Sequence, residues 1–398
     1  MSLNNTPSAN RIHIGLFGKR NAGKSSIINA ITGQNLAIVS DVKGTTTDPV
    51  SKAMELLPLG PVVIIDTPGL DDEGELGMLR IQKAYQALNK TDIAVLVIDS
   101  SLGMTKEDSA ILERIIEKKI PYVVVFNKAD LLNGKYKLPE NISADSSIFV
   151  STLTGENIYE LKDLIAKQVP QDISEKYIVR DLVKPNDFVI LVVPIDSSAP
   201  KGRLILPQQQ TIRDLLECGA VSIVVQESEL KATIEQLGKK PALVITDSQA
   251  FKKVSTLVPS DIPLTSFSIL FARYKGNLDT VVHGAHAIDS LKDGNTILIS
   301  EGCTHHRQCE DIGTVKLPRW LQEHTGKTLN FEFTSGTEFP VDLSKYDLII
   351  HCGGCTLNER EMKYRLKCAE DQNIPITNYG TAIAHMNGIL ERSIAILK

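Results

Sequence analysis

The stretch that decides the fold begins at Ile12-His13-Ile14-Gly15-Leu16-Phe17 and continues as Gly18-Lys19-Arg20-Asn21-Ala22-Gly23-Lys24-Ser25-Ser26. The first part is an apolar run of strand length, and the second fits GxxxxGK[ST], a phosphate loop joining a strand to a helix. Glycine at 18 and 23 lets the backbone turn tightly around phosphate, while successive amides and the helix N-terminus supply positive partial charge. Lys24 is expected to reach the β- and γ-phosphates and Ser25 to bind Mg²⁺ through its hydroxyl. Gly18, Asn21, Ala22, Gly23, Lys24, Ser25 and Ser26 are therefore read as nucleotide-binding.

Further downstream, Asp66-Thr67-Pro68-Gly69 closes a second apolar run, placing a carboxylate for Mg²⁺ and the Gly69 amide for the γ-phosphate. Asn127-Lys128-Ala129-Asp130 closes another, and the Asp130 carboxylate can accept two hydrogen bonds from a guanine edge, which adenine does not offer. The order and spacing of these segments resemble the translation-factor-like GTPases, with greatest similarity to the tRNA-modification and ribosome-assembly branch. The resemblance implies that Ser151 and Thr152 belong to the last base-contacting loop. It also implies that Gly44-Thr45-Thr46-Thr47-Asp48 is the first switch, Thr46 joining Ser25 and Asp66 around Mg²⁺. Leu70 stands where Ras-like enzymes keep a water-orienting glutamine, so intrinsic hydrolysis is expected to be slow. Asn21 matches the asparagine that holds K⁺ in potassium-activated members, and the predicted enzyme is a K⁺-stimulated GTP hydrolase.

Short apolar runs alternate with amphipathic segments along the whole chain, which predicts parallel sheets with crossover helices. Three α/β domains are expected: a P-loop small GTPase fold over 10–170, a second α/β domain over 178–262 with no catalytic motif, and a third over 263–398. The 398 residues suffice for three such cores, and 42% hydrophobic with 23% charged residues excludes a disordered or fibrous chain. The formal net charge of −5 supplies no general basic field for nucleic acid. No apolar run approaches a membrane span and Met1–Arg11 carries no signal-like core, so the expected location is the cytoplasm.

Cysteine placement singles out the last third: none of the six precedes Cys218, and five lie from Cys303 onward. Cys303-Thr304-His305 follows the run TILISEG, and His351-Cys352-Gly353-Gly354-Cys355 ends the run DLII. Both groups should emerge at the carboxyl edge of a parallel sheet, where ligands bind in open α/β folds. Three thiolates there could hold zinc or an iron–sulfur cluster. Cys218 and Cys368 lie in helical patterns and are read as small hydrophobes.

With both sites in view, the chain resembles the iron-only hydrogenase maturation GTPases of the HydF family. The resemblance spans residues 11–398 and rests on the GTPase motifs followed in order by the CTH and HCGGC segments. It implies that Cys303, Cys352 and Cys355 ligate a four-iron four-sulfur cluster with one exchangeable site. Candidates for the fourth ligand are Glu310, favoured as a replaceable oxygen donor, and also His305 and His351. It further implies a scaffold that assembles a diiron precursor and delivers it to the hydrogenase apoprotein, works with two radical-SAM maturases, and dimerises through the middle domain. The alternative is a ribosome-assembly or tRNA-modification GTPase with a structural zinc site.

Overall fold

Runs rich in Val and Ile become the strands of three sheets. The computed structural model describes residues 8–33, 49–69, 75–132, 137–139, 142–169, 176–195, 204–302, 311–336 and 338–397, the side chains of 75–80 and 82 excepted. The chain forms two compact units, Met1–Ile173 and Ser174–Lys398.

The first unit contains β1 (Ile12–Phe17), β2 (Val50–Leu56), β3 (Gly60–Asp66), β4 (Ile93–Asp99), β5 (Tyr122–Asn127) and β6 (Ser147–Phe149). They lie in the order β2-β3-β1-β4-β5-β6, all parallel except β2, which runs antiparallel to β3. Alternate residues of the central strands face two cores. Leu16, Val95 and Val97 meet Ile27 and Ile31 of helix Lys24–Thr32 on one face; Phe17, Leu96 and Ile98 meet Ile111 and Ile115 of helix Lys106–Glu117 on the other. Burial on both faces explains why these strands read as continuous apolar runs. Strand β2 was not anticipated, because it is an edge strand with Val50, Ser51, Lys52, Ala53 and Glu55 all exposed.

The second unit holds two four-stranded parallel sheets. One is built from β7 (Phe188–Val192), β8 (Val221–Val225), β9 (Leu243–Thr246) and β10 (Leu264–Ser266), in the order β10-β9-β7-β8. The other comprises β11 (Thr296–Ser300), β12 (Asn330–Thr334), β13 (Leu348–His351) and β14 (Ile376–Asn378), in the order β12-β11-β13-β14. The boundary expected at 262/263 is displaced: β10 pairs with β9, Leu264 opposite Val244, so the second sheet extends through Ser266. The two sheets also share a core. Ile190, Val244 and Leu264 pack with Ala285, Ala384, Leu390 and Ile394, and helix Phe267–Lys275 contributes Phe267 and Phe271 to one cluster and Ala272 to another.

In the third sheet the chain passes from β11 to β12 on one side and returns to β13 on the other. The topological switch therefore lies between β11 and β13, whose last residues, Ser300 and His351, are register partners. Among the described residues no helix is long and apolar enough to cross a membrane.

Candidate functional site

The phosphate loop leaves β1 through a backbone that only glycine accepts. Gly18 has φ +136°, and a Cβ there would lie 2.1 Å from the Val97 carbonyl oxygen; at Gly23, with φ +96°, it would lie 2.1 Å from Asn127 Nδ2. Lys24 is buried, and its Nζ donates to the carbonyls of Gly18 and Lys19, each at 2.8 Å. The loop thus curls around the ammonium expected to meet the phosphates. Ser25 Oγ donates to Asp66 Oδ2 at 3.1 Å, bringing two of the expected Mg²⁺ ligands together. Burial raises the Asp66 carboxyl, with Lys24 and Ser25 acting in opposition. Thr67 Oγ1 donates to the Leu16 carbonyl at 2.5 Å, and a Cβ on Gly69 would stand 2.9 Å from the Arg20 nitrogen, so this segment lies against the phosphate loop.

The segments expected to read the base converge on the same loop. Asn127 Nδ2 donates to the Ala22 carbonyl at 3.0 Å, and its Oδ1 accepts from the Thr152 amide and hydroxyl, both at 3.4 Å. Ser151 Oγ donates to Asp130 Oδ1 at 2.5 Å, orienting the carboxylate expected to meet guanine. Lys128 Nζ donates to Asp99 Oδ2 at 2.5 Å. Burial pushes the Asp99 carboxyl up, but hydrogen bonds from Lys128 and Ser101 prevail and hold it below its usual range. Asn21 is exposed in a left-handed turn, φ +58°, and Ser26 occupies the first turn of the following helix. Thr46 and Leu70 lie outside the described residues.

At the switch point of the third sheet, Cys352 follows β13 directly. Its Sγ accepts from the amides of Gly302, at 3.0 Å, and Gly354, at 3.4 Å. Gly354 adopts φ +60°, turning the chain back toward Cys355. Burial pushes the Cys352 thiol up to about 11 against these amides and raises Cys355 as well, where Lys275 opposes it. Lys275 is buried, and its Nζ donates to the carbonyls of Gly354 (3.3 Å), Cys355 (3.2 Å) and Leu357 (3.0 Å). Burial lowers its ammonium to about 8.

Arg365, also fully buried, donates to Glu361 Oε1 (3.0 Å), Ser300 Oγ (3.1 Å), His351 Nε2 (2.9 Å) and the Gly336 carbonyl (2.8 Å). His351 therefore has to be corrected as a candidate cluster ligand. Its Nδ1–H donates to the Cys352 carbonyl at 2.7 Å while Nε2 accepts from Arg365, so neither nitrogen retains a lone pair for iron. Cys303, His305 and Glu310 lie outside the described residues. Lys275 and Arg365 escaped the sequence reading. The only signal for Lys275 is a charge ending the otherwise largely apolar helix FSILFARYK, and Arg365 sits in the strongly polar helix EREMKYRLKCAED, where nothing singles it out.

Comparison with known proteins settles the family. Residues 178–276 match the hydrogen maturase F dimerization domain, and residues 279–396 match the hydrogen maturase F tetramerization domain, together more than half of the 398 residues. The chain belongs to the hydrogen maturase F family. Residues 13–128 match a 50S ribosome-binding GTPase domain, so the first unit is a GTPase domain. That part is 35% identical to the tRNA modification GTPase MnmE of Nitrosomonas eutropha, over 40% of this chain and 35% of that one. It is 34% identical to GTPase Der of Kosmotoga olearia, over 40% of this chain and 39% of that one. The chain thus spans little more than a third of the length of these curated relatives. Among solved structures it is similar to an Aquifex aeolicus Era variant bound to GDP·AlF₄⁻, with 22% identity, 57% of this chain and 98% of that chain covered, and a TM-score of 0.36.

For a hydrogen maturase F chain two features stand out. The Cys303 and Cys352–Cys355 segments fall within the tetramerization match, outside the dimerization match. Two matched domains carry association descriptions, dimerization and tetramerization, where only the middle domain was expected to associate. The alternative of a ribosome-assembly or tRNA-modification GTPase is similar only at the GTPase domain; the remainder matches maturase domains.

Proposed function

We propose that this family member is a GTP-hydrolysing scaffold for iron-only hydrogenase maturation, holding a four-iron four-sulfur cluster through Cys303, Cys352 and Cys355. The observation that carries the reading is the placement of Cys352 and Cys355 at the switch point between β11 and β13, in the same chain as a GTPase domain. Cys352 and Cys355 suit a cluster: two amides already point at Cys352 Sγ, and buried thiols with raised pKa values ionise only beside positive charge, which iron supplies. A cluster bound by three cysteines leaves one iron with an exchangeable ligand, Glu310 or His305, where a diiron precursor with CO and CN⁻ can be accepted and released. Lys275 secures the Gly354–Leu357 backbone, and Arg365 ties the ends of β11 and β13, so the thiols are presented by a rigid edge.

In the first domain Ser25, Asp66 and Thr46 would hold Mg²⁺, Lys24 and the loop amides the phosphates, and Asn127, Asp130, Ser151 and Thr152 the guanine. A K⁺ ion beside Asn21 would stabilise transition-state charge in a slow hydrolysis. Switching on the γ-phosphate would bias contacts with two radical-SAM maturases and the hydrogenase apoprotein. The middle sheet supports dimerisation through edge strand β8, where Val221 and Val224 are 40% and 45% exposed. Thiols that must remain reduced favour the cytoplasm.

Anaerobic iron and sulfide analysis with electron paramagnetic resonance tests the reading. Full-length protein should carry one cluster per chain, lost in Cys352→Ser or Cys355→Ser while GTP hydrolysis persists. A cysteine variant with an unchanged cluster signal would remove that residue from the ligand set.

A further inference from the structure

At the edge of the third sheet opposite the cysteines, three helices end together. Helix Leu278–His286 runs antiparallel to β14: Thr377 Oγ1 donates to the Val281 carbonyl, and Gly284 in the last turn lies against Ile376, the first residue of the strand. Helix Tyr379–Met386 starts directly after β14, and helix Leu317–Thr325 leads into β12, so their C-termini reach the same amino edge of the strands. Each carries a histidine in its last turn: His286, His324 and His385. Asp289 follows in the short turn Ala287–Ser290.

Asp289 faces two of these rings with a separate oxygen for each. His324 Nε2 stands 3.2 Å from Oδ1 and His385 Nε2 stands 3.0 Å from Oδ2, and one ligand atom from each of the three residues lies within 4.8 Å of those of the other two. His286 stacks edge-on against His385, ring centroids 5.0 Å apart. A tetrahedral metal with bonds of about 2.0–2.2 Å holds its ligand atoms about 3.3 Å apart. Each ring nitrogen therefore already stands at about that separation from an Asp289 oxygen, with one oxygen serving each ring.

Charge points the same way. Two imidazoles that are neutral when they ligate, one carboxylate and the partial negative ends of three helices favour a cation at their centre. The supports are rigid: Ile288, Leu317, Leu321, Ala382 and Ile383 beneath the cluster belong to one buried core. Nitrogen donors with a single carboxylate select a borderline divalent ion such as Zn²⁺, Co²⁺ or Ni²⁺ over Mg²⁺ or Ca²⁺, which take all-oxygen shells.

We propose that Asp289, His324 and His385 bind one divalent transition-metal ion of the zinc class, separate from the cysteine site, with His286 beside the remaining coordination position. The ion would replace the two Nε2 protons and clasp the three helix ends together.

Co²⁺ titration of the full-length, cluster-reconstituted protein tests this, because thiolate-bound Co²⁺ gives intense near-ultraviolet charge-transfer bands and nitrogen–oxygen ligation gives only visible d–d bands. One equivalent with d–d bands alone, displaced by Zn²⁺, is expected. His324→Ala/His385→Ala should lose it, and the exposed, isosteric Asp289→Asn should weaken binding by about tenfold or more. A wild-type titration without those bands, or the same stoichiometry and spectrum in the double variant, would overturn the proposal.

Discussion

Replacing Arg365 by Met retains the length and apolar stem of the side chain while removing its charge and donors. In the native structure the guanidinium is completely buried, and the side chain of its partner Glu361 is 6% exposed. The substitution would strand that carboxylate, the Gly336 carbonyl and His351 Nε2 without the donor they now share. Breaking a buried ion pair from one side costs about 3–5 kcal/mol, because the remaining charge is left desolvated. With a urea m-value of about 2–3 kcal/mol/M, the unfolding midpoint should fall by about 1–2 M. The chain has a single tryptophan, Trp320, packed on the core of the third sheet, so its fluorescence reads this transition directly. Adding Glu361→Gln to Arg365→Met should recover part of the loss, since the stranded charge is then gone. A single variant that shifts the midpoint by less than the equivalent of about 1 kcal/mol, or a double variant no better than the single one, would refute the claim that this pair anchors the edge of the sheet.

Two further outcomes concern the nucleotide site. Asp130→Asn exchanges two charge-assisted acceptors for an amide, so GTP affinity should fall about 100-fold while xanthosine triphosphate, whose base presents a carbonyl at that edge, gains; competition binding with both nucleotides checks it, and undiminished GTP preference would count against Asp130. Asn21→Ala should abolish the excess of hydrolysis in KCl over NaCl while leaving nucleotide affinity within about threefold; a wild-type rate equal in the two salts would remove the K⁺ role.

Much of this protein was readable because its chemistry is carried by contiguous residues. Gly18–Ser25, Asp66–Gly69 and Asn127–Asp130 each terminate a strand, and a buried parallel strand announces itself as an apolar run. The HCGGC segment was legible for the same reason. The features missed are of two kinds. Strand β2 is an exposed edge and Leu264–Ser266 is only three residues long, so neither has a periodicity to detect. Lys275, Arg365 and the Asp289–His324–His385 cluster are ordinary polar residues that each have a partner far off in sequence, 79 residues for Lys275 and Gly354, 65 for Arg365 and Ser300, and 96 for Asp289 and His385.

The amino-acid order alone was enough to place a GTPase domain toward one end of the chain and to single out the HCGGC cysteines toward the other. Both depend on short motifs in which backbone conformation and functional group are specified together. Tertiary packing decided which groups meet: that β11 and β13 are neighbours, that Arg365 engages His351 Nε2 while the Cys352 carbonyl engages Nδ1, and that three helix ends converge around Asp289. Such long-range pairings follow from how whole sheets and helices bury their apolar faces, and a polar residue brought along by that burial leaves no local trace of the partner it will meet.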